Sequence, residues 1–78
     1  MPENNKEKVV GEIAKNSLEK VIISLREYRE RQLVDIRTYY QNDKGEWLPT
    51  KKGISLNSEN YPELKQGVLA LEEAIKDF

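Results

Sequence analysis

Four aromatic side chains, Tyr28, Tyr39, Tyr40 and Trp47, are interleaved with Arg26, Arg29, Arg31, Arg37, Lys51 and Lys52. Flat rings beside cations suit one chemistry above others. The cations neutralise phosphates, and the rings stack on bases left exposed by a missing second strand. Each base–aromatic stack is worth about 1–3 kcal/mol and is nearly sequence-blind, because every base has a π-face. Catalytic readings are weak by comparison. The chain has no histidine and no cysteine, which removes a thiol nucleophile, an imidazole base and the commonest ligands of a structural metal. Ser17, Ser24, Ser55 and Ser58 have no histidine to activate them. Glu27/Glu30 and Asp43/Glu46 lie among basic residues without a clustered pattern, and no Gly-rich phosphate loop is present. The expectation is a protein that is not an enzyme and carries no metal or cofactor.

Charge sharpens that reading when it is divided along the chain. The whole is nearly neutral at −1, but residues 15–52 carry +3 and residues 53–78 carry −3. A basic middle and an acidic end suggest faces with different partners, although an ordinary solvated surface has the same signature.

The basic, ring-bearing middle reads as strands. Val21, Ile23 and Leu25 alternate with Lys20, Ile22, Ser24, Arg26 and Tyr28, so Glu19–Tyr28 has the period of two of a half-buried strand. Val9–Lys15 is a weaker strand, and Arg29-Glu30-Arg31 is a charged connection. In Leu33–Tyr40, Val34, Ile36 and Thr38 take one face while Leu33, Asp35, Arg37 and Tyr39 take the other. Asp35 reads as the ion partner of Arg37, and Tyr39 as a ring capping a small core. Tyr40 and Trp47 suit either stacking on a ligand or pairing across strands. Tyr40 and Arg37 have opposite parity, so both reach one ligand only through a bulge or the strand twist. Asn42-Asp43-Lys44-Gly45 predicts a tight turn into a strand from Glu46. Pro49 predicts an edge or a bulge, Gly53 a second bend, and Ile54 and Leu56 a return to the core.

From Asn57 the period changes. Leu64, Val68, Leu71, Ile75 and Phe78 recur at steps of four, three, four and three, which is a single helical stripe. Asn57 or Ser58 is the expected cap, and Pro62 suits a first turn. Gly67 inside the helix costs about 1 kcal/mol relative to Ala unless something packs closely on it. The expected architecture is α+β, a small antiparallel sheet followed by one C-terminal helix. Residues 1–8 are expected to form a disordered tail and residues 9–78 the domain. A chain of 78 residues buries a thin core, and with no disulfide available a second copy is the natural staple. One helix covers only part of a sheet face, so the stripe Leu64, Val68, Leu71, Ile75 and Phe78 is the expected dimer interface. No apolar run approaches the ~20 residues of a membrane span, and the opening MPENNKEK lacks the apolar core of a signal peptide.

The segment LVDIRTYYQNDKGEWLPTKKGISLN, residues 33–57, resembles the signature of the positive cofactor four family of transcriptional coactivators. The matching elements are Val34-Asp35-Ile36-Arg37, Tyr39-Tyr40, Asp43-Lys44-Gly45, Pro49, Lys51-Lys52 and Gly53-Ile54-Ser55-Leu56, and the likeness extends from about residue 11 to the C-terminus. The resemblance implies a curved four-stranded antiparallel sheet, a homodimer paired through its helices, and grooves for single-stranded or melted DNA. It implies that Lys15, Arg29, Arg31, Arg37, Lys51 and Lys52 contact DNA and that Tyr28 and Tyr40 stand for the family's stacking Phe and Trp, with Trp47 a further candidate. Thr50 replaces a small flexible residue before the basic pair, and the segment Asn16–Glu19 is longer than in the family. The long Ser-rich N-terminal region of eukaryotic members is missing, which points to a bacterial or viral chain acting in the nucleoid or an infected cell, the nucleus being the place for a eukaryotic one. The expected function is sequence-nonspecific binding of single-stranded DNA in transcription, replication or repair, with transcription or replication proteins as further partners. The alternatives are a dimeric adaptor of the transcription machinery and a single-stranded RNA binder.

Overall fold

The computed structural model describes residues 6–78. Four strands, β1 (Lys6–Ala14), β2 (Glu19–Tyr28), β3 (Arg31–Gln41) and β4 (Trp47–Asn57), pair antiparallel in sequence order. A short 3₁₀ turn (Ser58–Asn60) leads into helix α1 (Tyr61–Asp77). The expected tail is corrected in part. Lys6–Lys8 belong to β1, where Lys6 faces Glu27 and Glu7 faces Arg26, with ion-pair distances of 4.0 and 3.7 Å. Cross-strand charges extend the ladder where no apolar residue does. The remainder of that tail lies outside the described residues. No helix among them is long and apolar enough to cross a membrane.

Register assigns the two faces of the sheet, because directly opposed residues point the same way. Val21, Ile23 and Leu25 oppose Thr38, Ile36 and Val34, and Ile36 and Val34 oppose Ile54 and Leu56. Together they make a continuous apolar face. The opposite face carries Lys20, Ile22, Ser24, Arg26 and Tyr28 against Tyr39, Arg37, Asp35, Leu33 and Arg31. Burial within the single chain is inverted relative to polarity. Ser24 and Asp35, each 2% exposed, are the most deeply buried side chains, and Ile22 is the one fully buried apolar residue among the described ones. Ile54, expected in the core, is 46% exposed. The cause is the helix. α1 packs within the chain chiefly against the 3₁₀ turn that precedes it and has no buried residue, so the apolar face lacks the cover that would make it a core. The chain is a plate of 49 × 35 × 18 Å.

Two hairpin turns fix the registers around the cations. Between β3 and β4, Asn42 Oδ1 accepts hydrogen bonds from the backbone N–H of Lys44 and Glu46, both 2.9 Å, and Gly45 supplies φ +83°. Between β2 and β3 the turn is only Arg29–Glu30, at φ 51° and 67°. Two left-handed residues in succession match the sheet's twist, but Asn-Gly is the usual choice and non-glycine residues pay roughly 1–2 kcal/mol each. Pro49 sits within an edge strand, as its missing N–H requires. Gly53 is not a bend. It opposes Arg37, and a Cβ there would lie 2.7 Å from the Ile36 carbonyl oxygen and 2.8 Å from Arg37 Cα. Gly53→Ala is therefore expected to lose about 1–3 kcal/mol of stability through overpacking against rigid backbone, read as a lower urea midpoint. Neither Asn57 nor Asn60 caps a helical segment with its side chain, so the expected Asn57 cap is absent. Pro62 does occupy the first turn of α1.

Candidate nucleic-acid interface

At the β2–β3 tip, Tyr28 opposes Arg31 and is 48% exposed. The Arg29 guanidinium lies 5.2 Å from the centre of the Tyr28 ring, a cation–π distance. The left-handed turn bends Arg29 back over the strand end. Arg26 shares the face of Tyr28 by its i, i+2 spacing on β2, and its buried Nε has no hydrogen-bond partner. Arg26 is one of the interleaved cations but not one of the expected DNA contacts, and its parity with Tyr28 is what places it beside that ring. The tip thus joins Tyr28 to Arg26, Arg29 and Arg31, above a hollow lined by Lys6, Glu7, Arg26, Glu27, Tyr28 and Leu33.

Arg37 lies farther along the same face, and its head is already engaged. Its Nε and Nη2 donate to the two carboxylate oxygens of Asp35 at 3.1 and 2.9 Å, and its Nη1 donates to the Thr50 carbonyl at 3.0 Å. The side chain is 20% exposed. The hydrogen bonding of Arg37 to the Asp35 carboxylate raises the pKa of Arg37 from its ordinary value. Opposite this pair the ladder skips. Arg37 and Tyr39 are two residues apart on β3, while their partners Gly53 and Pro49 are four apart on β4. The resulting bulge presents Lys51 and Lys52 to solvent.

The other end of the sheet holds a second ring. Tyr40 opposes Glu19 and Leu48 and is 40% exposed. The Glu19 carboxylate is held below its ordinary range first by a hydrogen bond from Asn16 and then by the charges of Lys15 and Lys52. Lys15, Lys52 and Tyr40 therefore share this end. Tyr39 is half-buried and faces Lys20 and Pro49, in keeping with its expected capping role. The Trp47 ring has Lys20 Nζ 4.4 Å from its centre, and Lys20 also pairs with Glu12 at 3.2 Å.

The expected site is thus distributed rather than single. The β2–β3 ladder is unbroken and the bulge is on β4, so no bulge on β3 reconciles the parity of Arg37 and Tyr40. Tyr28 and Tyr40 point to opposite faces, near opposite ends of strands that rise about 3.3 Å per residue. One nucleotide cannot touch both rings. Two clusters result, each with one exposed ring and its own cations.

Comparison with known proteins agrees with the fold and the motifs. Residues 15–67 match the family model for Transcriptional Coactivator p15 (PC4). The chain is 43% identical over 54 residues to the RNA polymerase II transcriptional coactivator KELP of Arabidopsis thaliana, which covers 69% of this chain and 32% of that protein. It is 36% identical over 70 residues to the coactivator KIWI of the same plant, covering 90% of this chain and 61% of that one. The chain therefore spans less than two thirds of these relatives. Among solved structures, a PC4 homologue from Burkholderia pseudomallei superposes with a TM-score of 0.77 at 31% identity, over 86% of this chain and 90% of that one. A bacteriophage T5 homologue shares the fold at a TM-score of 0.66 and 22% identity, over 95% of this chain and 86% of that one. With its four-stranded open sheet, C-terminal helix and matched signature, the chain belongs to the PC4 family of transcriptional coactivators.

Proposed function

We propose that the protein is a homodimeric, sequence-nonspecific binder of single-stranded DNA that acts in transcription, replication or repair, wherever its host keeps DNA. The observation that carries this reading is the pair of exposed rings, each set among exposed cations on an open sheet. Tyr28 stands with Arg29 and Arg31, and Tyr40 with Lys15 and Lys52. Arg29, Arg31, Lys51 and Lys52 hold phosphates, with Lys15 beside them, and Tyr28 and Tyr40 stack different nucleotides of one strand. Arg37 stands behind the phosphate contacts. Dimerisation is supported by two apolar surfaces that the single chain covers only in part, the sheet face of half-buried Val21, Ile23, Leu25, Val34 and Ile36 with exposed Ile54, and the helix stripe of half-buried Leu64 with exposed Val68, Leu71, Ile75 and Phe78. Apolar surface of this extent in so thin a chain calls for a partner of the same kind.

Trp47 provides the readout, because a base that displaces Lys20 from its ring changes its emission. Titration with oligo-dT is expected to alter Trp47 fluorescence, with an affinity that falls with salt at a log–log slope of about −3 per protomer for four phosphate contacts on single strands. A flat salt profile contradicts the phosphate contacts. Tyr40→Ala is expected to weaken oligo-dT binding by about 1–3 kcal/mol with little change in melting, since the ring is half outside the fold. Unchanged affinity removes Tyr40 from the site. Tighter binding of rU than dT oligomers selects the RNA reading. Silence with both, together with a response to a transcription protein, selects the adaptor.

A further inference from the structure

We infer that Asp35, Arg37 and Thr50 form a positioning relay that sets the Lys51–Lys52 bulge for phosphate. The inference rests on the nucleic-acid reading above and assigns roles within it. Asp35 is buried and places both oxygens on Arg37. That salt bridge aims Arg37 Nη1 at the Thr50 carbonyl, 3.0 Å away. Thr50 then acts twice more through its hydroxyl, which donates to the Thr38 carbonyl at 2.7 Å and accepts the Lys52 N–H at 3.1 Å.

The bulge is thereby pinned at both ends. Thr50 fixes its start, and the close approach of Gly53 to Ile36 and Arg37 fixes its end. Between the pins, Lys51 and Lys52 are exposed, and neither has an ion pair within 4.0 Å among the described residues. A bulge of two skipped residues on an edge strand is otherwise free to move. Ordering it on contact with a ligand would oppose binding, and pinning it beforehand removes that cost. Three of the five guanidinium N–H donors of Arg37 are taken within the fold and the side chain is 20% exposed, so it offers a phosphate less than the exposed Lys51 and Lys52 do.

The decisive residue is Thr50, because it lies between the relay and the lysines. Thr50→Val keeps shape and removes only the hydroxyl, Thr50→Ser keeps the hydroxyl, and Lys51→Ala/Lys52→Ala removes the charges. Oligo-dT affinity is measured for each across a salt series, with thermal midpoints alongside. Thr50→Val is expected to lose affinity on the order of tenfold at 0.1 M salt and to flatten the salt slope by about 1.4, as two lost phosphate contacts would. Thr50→Ser is expected to restore both, and Thr50→Val is expected to add no further loss on the double-lysine background, as for residues acting in series. A merely structural role lowers the midpoint and leaves the slope at the wild-type value. That slope, or full additivity with the lysine variant, overturns the inference. Amide exchange of Lys52 reads the pin without ligand. It is expected to quicken in Thr50→Val and recover in Thr50→Ser, and unchanged exchange also overturns the inference. If the wild-type protein itself ignores oligo-dT, the nucleic-acid reading falls and takes this inference with it. Wild-type binding with an unaltered Thr50→Val slope overturns the relay alone.

Discussion

Asp35→Ala is expected to cost about 3–5 kcal/mol of folding stability, the usual range for removing one partner of a buried ion pair. The carboxylate is buried on the ring-bearing face and satisfies two nitrogens of Arg37. Its removal leaves a guanidinium with one backbone carbonyl for company, beside a Ser24 hydroxyl that is itself buried without a partner. An uncompensated cation in that position is the expensive part, more than the loss of the pair's own attraction. The raised pKa of Arg37 gives the pH dependence of its side of the pair. A cation whose folded pKa exceeds its unfolded value contributes fully below the unfolded value and loses that contribution only as pH rises through the folded one. Both lie well above neutral pH, so this share is constant through neutral and mildly alkaline conditions. Urea unfolding at fixed protomer concentration checks the prediction. A loss below about 1 kcal/mol, the scale of an exposed pair, contradicts the structural weight given to Asp35.

Leu71→Asp is expected to have the second large effect, on assembly. Leu71 lies mid-stripe on α1 and is exposed in the single chain. In a two-fold dimer each substitution is felt twice, and burying even a partly solvated carboxylate costs several kcal/mol. A loss of at least about 4 kcal/mol, or a thousandfold in the dimer Kd, is expected. Because so little apolar surface is covered within one chain, dissociation is expected to remove the cooperative melting transition as well. Sedimentation and calorimetry at micromolar concentration test this. A variant that keeps both dimer mass and melting places the interface elsewhere.

Much of the scaffold was legible in the residues. β2 has the bounds that its alternation implies, because β-branched residues at period two leave little freedom of register. The Asn42–Gly45 turn and the α1 stripe were equally readable, each resting on a local rule. Three features were not. The Arg29–Glu30 turn uses left-handed residues of types that rarely adopt them, so composition disguised a two-residue turn as a three-residue connection. Lys6–Lys8 carry no apolar signal and enter β1 through cross-strand charges that no local window sees. The fate of Arg37 depended on a bulge in the neighbouring strand, directly opposite it. Asp35 was readable as its partner, but not the Thr50 carbonyl that takes a third donor. The opposition of Tyr28 and Tyr40 was implicit in their parity, and only an unbroken β2–β3 ladder turned a possible shared groove into two clusters. Alternation likewise identified the apolar sheet face without revealing that α1 leaves it uncovered.

The central claim is that exposed rings and cations on this open sheet grip unpaired nucleotides. It is tested most directly by following Trp47 emission with labelled oligo-dT bound and adding, in separate arms, unlabelled oligo-dT and a duplex of equal length. The account predicts that the single strand displaces the label at stoichiometric concentrations while the duplex, whose base faces are hidden, competes poorly. Equal displacement by the duplex would contradict it, because binding would then rest on phosphates alone and the rings would have no part in it.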